Sequence, residues 1–339
     1  MGRSALFFER LSDGSILCSL CPHKCKIYPG RLGVCKTRRN DNGVLTVTTH
    51  GKLSAAAVDP IEKKPLFHFR PGSLTFSIAA AGCNLVCPFC QNHSLSQRLR
   101  HDDNVTNEKI WTAKEIVKTA QANNCESISF TYSEPVLSIE LAQETAAIAR
   151  QNGLDIVFVT NGQISSKGAQ LLAGFLAAAN VDLKCFSAKS YREVLGGDFE
   201  VTCQTIKKLH REGVWVEVTT LVIPGFNDSD KELTQIAEFI AGVDASIPWH
   251  ISRFHPAYKW MDRPPTDVAV LERALKIGTL AGLHHVYTGN IHGDIKKNTR
   301  CVRCGKVLIE RLGYRTGEIQ TKGGHCLFCG EQIAGVEFP

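Results

Sequence analysis

One short run in the first third of the chain constrains its fold and chemistry more than any other feature. Cys83, Cys87 and Cys90 form a CxxxCxxC motif, with Gly82 before it and Pro88 inside it. Glycine and proline favour a loop over a helix, as a chain that wraps a metal cluster requires. Three thiolates can bind three irons of a [4Fe-4S] cube and leave the fourth iron without a protein ligand. The motif therefore predicts an iron–sulfur site with one open iron.

Short apolar runs alternate with amphipathic stretches through the middle of the chain. Strands are expected at residues 74–80, 127–132, 155–160, 181–186, 215–222, 249–254 and 285–288. Helices are expected at residues 112–123, 136–152, 198–212, 230–242 and 267–282. Repeated β-α units joined by right-handed crossovers make a parallel sheet with helices outside it, so we predict an α/β fold. Its active edge should be the C-terminal ends of the strands, where the CxxxCxxC motif follows the first of them.

Two cysteine pairs, each followed by glycine, lie after residue 297 and are separated by a short hairpin-like stretch: Cys301, Cys304, Cys326 and Cys329. Four thiolates satisfy tetrahedral zinc, and this spacing predicts a zinc ribbon. Rubredoxin-type iron or an auxiliary cluster is the alternative, because paired cysteines do not choose the metal. About forty residues bury little core, so we expect the metal to be structural.

A third group, Cys18, Cys21, Cys25 and Cys35, lies in an N-terminal segment punctuated by glycine and proline. It predicts a small metal-tied lobe, in which an auxiliary iron–sulfur cluster that relays electrons and a zinc ion are equally open alternatives. We therefore divide the chain into an N-terminal lobe (1–70), a β/α domain (71–297) and a ribbon (298–339). Cysteines outside the three groups are expected in the core: Cys125, Cys185 and Cys203.

Composition narrows the class of protein without naming a partner. Eleven of the 14 cysteines belong to the three groups, which points to metal binding in a reducing compartment. The N-terminus has no signal-peptide pattern and no apolar run is long enough to span a membrane, so we expect a cytoplasmic protein. The net charge of +6 is spread out and demands no anionic partner.

The CxxxCxxC motif, with Phe89 before its third cysteine and its place after the first strand, resembles that of the radical S-adenosylmethionine (SAM) superfamily. The resemblance implies a partial (β/α)6 TIM-like barrel and an open iron that binds the amino and carboxylate groups of SAM. It implies that an electron from the cluster, provided by a donor such as ferredoxin or flavodoxin, cleaves SAM to methionine and a 5′-deoxyadenosyl radical. Zinc bound by the same cysteines and a distant histidine is the alternative.

The stretch that ends the second strand resembles the glycine-glycine-glutamate-proline segment of that superfamily, which meets the amino group of SAM. Tyr132 and Ser133 stand where the glycines would be, so only Glu134 and Pro135 match. The resemblance implies that Glu134 contacts SAM. An ordinary helix N-cap by Ser133 is the alternative.

Polar residues near three other strand ends are further candidates for SAM contacts. Asp182 and Lys184 are costly to bury unpaired, which favours a polar barrel interior, and they resemble an Asp-x-Lys pair of glycyl-radical activating enzymes. Asn161 is placed to meet the ribose or carboxylate of SAM, although it also fits a turn. His255 resembles a late histidine of the same enzymes, whereas His250 is expected to be structural.

Longer stretches resemble one branch of the superfamily, the AmmeMemoRadiSam system radical enzyme, which is similar to pyruvate formate-lyase activating enzyme. They are residues 59–69, 82–92, 249–256 and the ribbon. This resemblance implies Memo-type and Amme-type proteins as partners and leaves the substrate open. Radical chemistry on an unidentified substrate is thus our first hypothesis, with a glycyl-radical-enzyme activase as its variant. A nucleic-acid-binding module lacks a basic stripe and stacking aromatics here, and a simple electron carrier needs no open iron.

Overall fold

Two small antiparallel sheets form the N-terminal part of the protein. The structure is a computed structural model that describes residues 3–101, 108–291 and 297–338. One sheet has the strand order β1-β6-β5 and the other has the order β2-β3-β4. Their strands are β1 (Arg3–Ser4), β2 (Phe8–Arg10), β3 (Ile16–Cys18), β4 (Lys26–Ile27), β5 (Arg38–Asp41) and β6 (Val44–Val47).

An eight-stranded sheet follows, and its strands lie side by side in chain order. They are β7 (Ala55–Pro60), β8 (Leu74–Ala79), β9 (Ser127–Phe130), β10 (Asp155–Thr160), β11 (Ala178–Asp182), β12 (Trp215–Val222), β13 (Trp249–Arg253) and β14 (Val286–Gly289). Strands β8 to β14 are parallel, and β7 is antiparallel to β8. Within the described ranges β7 and β14 do not pair with each other, so the sheet stays open.

The C-terminal part forms two further antiparallel sheets, with orders β15-β16-β17 and β18-β19. Their strands are β15 (Thr299–Arg300), β16 (Val307–Leu312), β17 (Arg315–Ile319), β18 (Thr321–Lys322) and β19 (His325–Cys326). Arg311 of β16 is buried and donates to the carbonyl of Phe67 at 2.7 Å and to the hydroxyl of Thr299 at 2.7 Å. This guanidinium group joins the ribbon to the segment that precedes β8.

Helices connect the parallel strands. They are α1 (His93–Ser96), α2 (Arg98–His101), α3 (Ala113–Ala122), α4 (Ile139–Gln151), α5 (Ser166–Ala173), α6 (Ala188–Ser190), α7 (Phe199–Arg211), α8 (Asp230–Val243) and α9 (Val268–Leu280), with short 3-10 helices at Ile61–Lys63 and Pro135–Ser138 and a π-helical turn at Tyr191–Leu195. Apart from α4, which continues directly from the 3-10 helix at Pro135–Ser138, the longer helices start where a side chain accepts a hydrogen bond from the first turn, which satisfies an otherwise unpaired amide. These caps are Thr112, Ser165, Asp198, Ser229 and Asp267.

The predicted parallel α/β architecture is confirmed, with errors at particular elements. The strand expected at residues 181–186 is Ala178–Asp182. Apolar residues continue past the end of this strand, because Leu183 and Cys185 lie in the following loop and are also fully buried. The sequence reading missed β7 and α5. No helix in the described part of the chain is long and apolar enough to cross a membrane.

A buried ion pair fastens the N-terminal sheets to helix α4. Arg38 of β5 donates to both carboxylate oxygens of Glu140, at 2.8 and 3.0 Å, and both side chains are nearly inaccessible to solvent. Glu140 also accepts the backbone N–H of Leu6 at 2.7 Å. Removing one partner of such a pair leaves an uncompensated buried charge.

We therefore expect Glu140→Ala to lower the free energy of unfolding by about 3–5 kcal/mol, measured by chemical denaturation. Glu144→Ala is the matched control on the same helix, because Glu144 pairs with the exposed Arg3 and such surface pairs contribute about 0–1 kcal/mol. Equal losses of unfolding free energy in the two variants would show that the pair of Arg38 and Glu140 does not hold the N-terminal sheets against helix α4.

Candidate active site

The C-terminal ends of the parallel strands surround a cavity of about 390 Å³. Its wall includes eight of the nine residues predicted to form the site: Cys83, Cys87, Phe89, Cys90, Glu134, Asn161, Asp182 and Lys184. The ninth, His255, is exposed and does not line the cavity; its ring Nε2 lies 3.5 Å from the carbonyl of Asn290. His250 does line the cavity but, as expected, has a structural partner, because its Nε2 donates to Glu217 at 2.6 Å.

The loop after β8 carries three cysteines on one wall of this cavity. Cys87 is buried, and Cys83 and Cys90 are half-buried. Burial raises the pKa of the Cys87 thiol to about 12, although the positive charge of Lys184 opposes the shift. Burial, with the nearby Glu134 carboxylate, also raises the pKa of Cys83. These thiols ionise readily only beside a strong positive charge, which a bound metal cluster provides.

Close packing against the N-terminal lobe fixes the start of this loop. Gly82 has φ +116°, and a Cβ atom there would stand 2.5 Å from the methyl group of Thr37. The buried side chain of Asn84 donates to the carbonyl of Gln163 at 2.9 Å and accepts from the amide of Asn161 at 2.9 Å. The amide of Asn161 also lies 3.6 Å from the sulfur of Cys83. The cysteine loop is therefore held from two sides before any cofactor binds.

Glu134 is held by the end of the neighbouring strand. Its carboxylate accepts from the hydroxyl of Thr160 at 2.7 Å, from the N–H of Asn161 at 2.9 Å and from the N–H of Val136 at 3.1 Å. Burial raises its pKa to about 7, and the three hydrogen bonds oppose that shift. The cap of the following 3-10 helix is thus Glu134 itself. The alternative of a cap by Ser133 was wrong, because its hydroxyl donates to the carbonyl of Ala80 at 2.5 Å.

Tyr132 has a backbone conformation that normally favours glycine. Its φ is +64°, which costs about 1–3 kcal/mol for a residue with a side chain. Its hydroxyl donates to Asp59 and lies 3.2 Å from the Lys64 ammonium, which also stands 4.4 Å from the centre of the ring. Asp59 in turn pairs with Lys63 at 2.7 Å. These contacts anchor the tyrosine in the position that a glycine takes in the resembling segment.

Asp182 and Lys184 form an ion pair of 2.9 Å at the end of β11. Burial disfavours the charge on Lys184, but the negative charge of Asp182 opposes this effect, and the pKa of the ammonium group is raised. Lys184 therefore places a fixed positive charge beside the buried thiol of Cys87.

The cavity wall also contains residues that the sequence analysis missed, and two sets of them come from outside the parallel strands. Glu62 and Lys63 line the cavity from the segment before β8, and Gly313 and Tyr314 line it from the tip of the β16–β17 hairpin. The charge alternation in residues 59–64 was the available signal for the first group. Nothing in the hairpin's sequence indicated that Gly313 and Tyr314 would line the cavity. Their position depends on how the ribbon packs against the eight-stranded sheet.

The cysteines of the ribbon come together as a single group. Four sulfur atoms, those of Cys301, Cys304, Cys326 and Cys329, lie within 4.8 Å of one another. The Cys301–Cys329 and Cys304–Cys326 sulfur pairs are 3.6 and 3.8 Å apart. This group could hold a metal ion. The N-terminal cysteines lie on β3 and in the loops between β3 and β5.

Comparison with known proteins identifies the family. The sequence model of the radical SAM superfamily matches residues 77–240. A protein of Methanocaldococcus jannaschii, named "Uncharacterized protein MJ0808", is 40% identical over 98% of both chains. The chain belongs to the radical SAM superfamily. Membership implies an enzyme that uses a [4Fe-4S] cluster, SAM and a reductant, and the cavity beside Cys83, Cys87 and Cys90 fits this requirement.

Two more distant matches cover part of the chain. A putative glycyl-radical enzyme activating enzyme of Methanocaldococcus jannaschii is 26% identical over 52% of this chain and 70% of its own. The crystal structure of Streptococcus suis SuiB bound to S-adenosylmethionine superimposes with a TM-score of 0.51 at 16% identity. That match covers 68% of this chain and 53% of SuiB, and it supports the fold alone.

Tyr132→Phe removes the hydroxyl that joins Asp59 and Lys64 while it keeps the ring. Because a hydrogen bond to a charged group contributes about 1.5–3 kcal/mol, we expect a loss of about 2 kcal/mol in the free energy of unfolding, measured by urea denaturation. Tyr258→Phe is the control, since Tyr258 also has a positive φ of 55° and its hydroxyl contacts the exposed His101 at 3.3 Å. A loss as small as that of the control would contradict the anchoring role of Tyr132.

Proposed function

We propose that this enzyme cleaves SAM reductively at a [4Fe-4S] cluster held by Cys83, Cys87 and Cys90, and abstracts hydrogen from a substrate with the resulting radical. The observation that carries the proposal is the set of side chains around the cavity. Apart from the three cysteines, the described part of the cavity wall contains one histidine and no further cysteine. That histidine is His250, and its Nε2 is already hydrogen-bonded to Glu217. A cluster bound there would keep one iron open for SAM.

When bound, the reduced cluster supplies the electron that splits SAM into methionine and a 5′-deoxyadenosyl radical. The chain's own residues supply binding, orientation and exclusion of water. Lys184 compensates negative charge beside Cys87, and the side-chain amide nitrogen of Asn161 lies 3.6 Å from the sulfur of Cys83. Phe89 packs 5.2 Å from Trp260 and 5.7 Å from Phe226, centre to centre, and forms an apolar side next to the cysteines.

We further propose which residues contact SAM. Glu134, Asn161, Asp182 and Lys184 bring carboxylate, amide and ammonium groups to the same cavity from the ends of three adjacent strands. Their oxygens suit the amino group and ribose hydroxyls of SAM, and the ammonium group suits its carboxylate. His255 remains a candidate, because its exposed ring lies 3.5 Å from the carbonyl of Asn290, which lines the cavity.

The substrate that fits best is a small molecule or a short flexible segment. A volume of about 390 Å³ is in the range of small-ligand sites, roughly 300–1,000 Å³, and SAM must share it. Gly313 and Tyr314 add a wall that a minimal activase does not need. Activation of a glycyl-radical enzyme is the second candidate, supported by the similarity to the putative activating enzyme. Memo-type and Amme-type proteins remain proposed partners, and ferredoxin or flavodoxin remain proposed electron donors.

The direct test uses anaerobically reconstituted protein with dithionite and SAM. We expect release of 5′-deoxyadenosine from the wild type and none from Cys87→Ala, measured by chromatography. Cys203→Ala is the control, because Cys203 is an equally buried cysteine in helix α7. Fully iron-loaded wild type that releases no more than Cys87→Ala would overturn the proposal. A glycyl-radical electron paramagnetic resonance signal on an added partner protein would select the activase variant.

We propose zinc for the ribbon cysteines. A tetrahedral zinc with Zn–S bonds of about 2.3 Å places its sulfurs about 3.8 Å apart. The two sulfur pairs, at 3.6 and 3.8 Å, support a single ion of this kind. A four-iron cube holds its thiolates farther apart because each one binds a different iron.

Cys326→Ser should therefore lose about one zinc per chain and keep its iron, measured by metal analysis. We also expect a lower melting temperature, because a structural zinc contributes to folding free energy. Cys125→Ser is the control, since Cys125 is buried outside the three groups and should keep the zinc. Loss of iron in place of zinc from Cys326→Ser would assign the ribbon to an iron site.

A further inference from the structure

The four N-terminal cysteines are grouped, but more loosely than those of the ribbon. Cys18, Cys21 and Cys35 are buried and Cys25 is half-buried. The N–H of Cys18 donates to the carbonyl of Cys25 at 2.9 Å, and a Cβ atom on Gly33, two residues before Cys35, would stand 3.6 Å from the sulfur of Cys25. Among the described residues, however, the ribbon alone brings three or more such ligand atoms within 4.8 Å of one another.

This spacing separates one metal ion from a cluster. A single tetrahedral ion needs its sulfurs about 3.8 Å apart, as in the ribbon. No three of the N-terminal sulfurs lie within 4.8 Å of one another, and the sulfurs of Cys83, Cys87 and Cys90 do not either. In this respect the N-terminal group resembles the cluster motif and differs from the ribbon.

The local backbone favours bound thiolates at these positions. The N–H of Val34 donates to the sulfur of Cys25 at 3.5 Å, and the hydroxyl of Thr37 lies 3.2 Å from the sulfur of Cys35. Such donors stabilise the negative charge on cysteine sulfurs and tune the potential of iron–sulfur clusters.

The N-terminal group also touches the cluster motif directly. His23, between Cys21 and Cys25, donates from its Nε2 to the carbonyl of Asn84 at 2.7 Å, and Asn84 follows Cys83. The carbonyl of Cys35 lies 3.5 Å from the position of a Cβ on Gly82. Each of two cysteine loops of the lobe thus contacts a residue next to Cys83.

We propose that Cys18, Cys21, Cys25 and Cys35 hold a second [4Fe-4S] cluster with four protein ligands, which passes electrons through His23 and Asn84 to the Cys83 site. A low-potential one-electron donor, of the ferredoxin or flavodoxin class, is oxidised by one electron and the N-terminal cluster is reduced by one. The same electron then moves to the Cys83 site. No bond is made or broken and no proton is transferred. The receiving site rests on the proposed function, but the second cluster does not.

Metal analysis of the anaerobically purified holoenzyme tests the second cluster. We expect about eight irons and eight sulfides in the wild type, and about four of each in the triple variant Cys83→Ala/Cys87→Ala/Cys90→Ala. The reduced triple variant should give a cluster electron paramagnetic resonance spectrum that SAM does not change, because every iron carries a thiolate. A triple variant with no iron and an additional zinc would overturn the proposal, whether or not the wild type cleaves SAM.

Cys21→Ala/Cys25→Ala is the reciprocal variant and should keep about four irons, with a spectrum that SAM shifts. If it does not fold, the triple variant decides alone. Loss of zinc with all eight irons retained would also overturn the proposal.

Rapid-mixing measurements with reduced flavodoxin test the relay. His23→Ala should keep its iron and slow the reduction of the Cys83 site severalfold, and His23→Gln should restore part of the rate through its amide donor. The adjacent Lys24→Ala is the control, because Lys24 is exposed. Equal rates in His23→Ala and Lys24→Ala would refute the path through His23.

Discussion

A single buried carboxylate holds two residues of the cavity wall, Phe67 and His250, and their neighbours in place. Glu217 of β12 accepts hydrogen bonds from the N–H groups of Phe67 and His68 and from the side chains of Trp215 and His250, at distances between 2.6 and 3.0 Å. Replacing such an acceptor leaves several buried donors without partners, at a cost of about 1–3 kcal/mol each. These bonds fix residues 61–69 across the sheet, where apolar side chains of the segment pack on the face away from the helices.

The same segment connects the ribbon to the chemistry. Arg311 of the ribbon donates to the carbonyl of Phe67 and lies 3.7 Å from the carboxylate of Glu62, and both charged groups are buried. Glu62 and Phe67 line the cavity, as do Gly313 and Tyr314 from the hairpin that Arg311 anchors. A metal bound by the ribbon cysteines would therefore also stabilise part of the cavity wall.

The sequence predicted what depends on local pattern and spacing. The three cysteine groups are recognised by their intervals, and the parallel sheet by alternating periodicity. The end of β11 was misplaced because Leu183 and Cys185 are buried by tertiary packing after the strand has ended. Strand β7 was missed because Val58, at its centre, is 39% exposed. Tyr132 could not be recognised as a left-handed residue, since its anchor, Asp59, is 73 residues away.

Burial of the cysteines couples metal binding to the stability of the fold. In the metal-free protein, burial raises the pKa of Cys21 and Cys87 to about 12, so both thiols carry protons near neutral pH. Metal binding must displace those protons, so metal affinity should rise with pH. A metal group that binds the folded chain and not the unfolded one stabilises it by mass action. The N-terminal lobe is small and is held to helix α4 by the pair of Arg38 and Glu140, so a metal bound there would add to its stability.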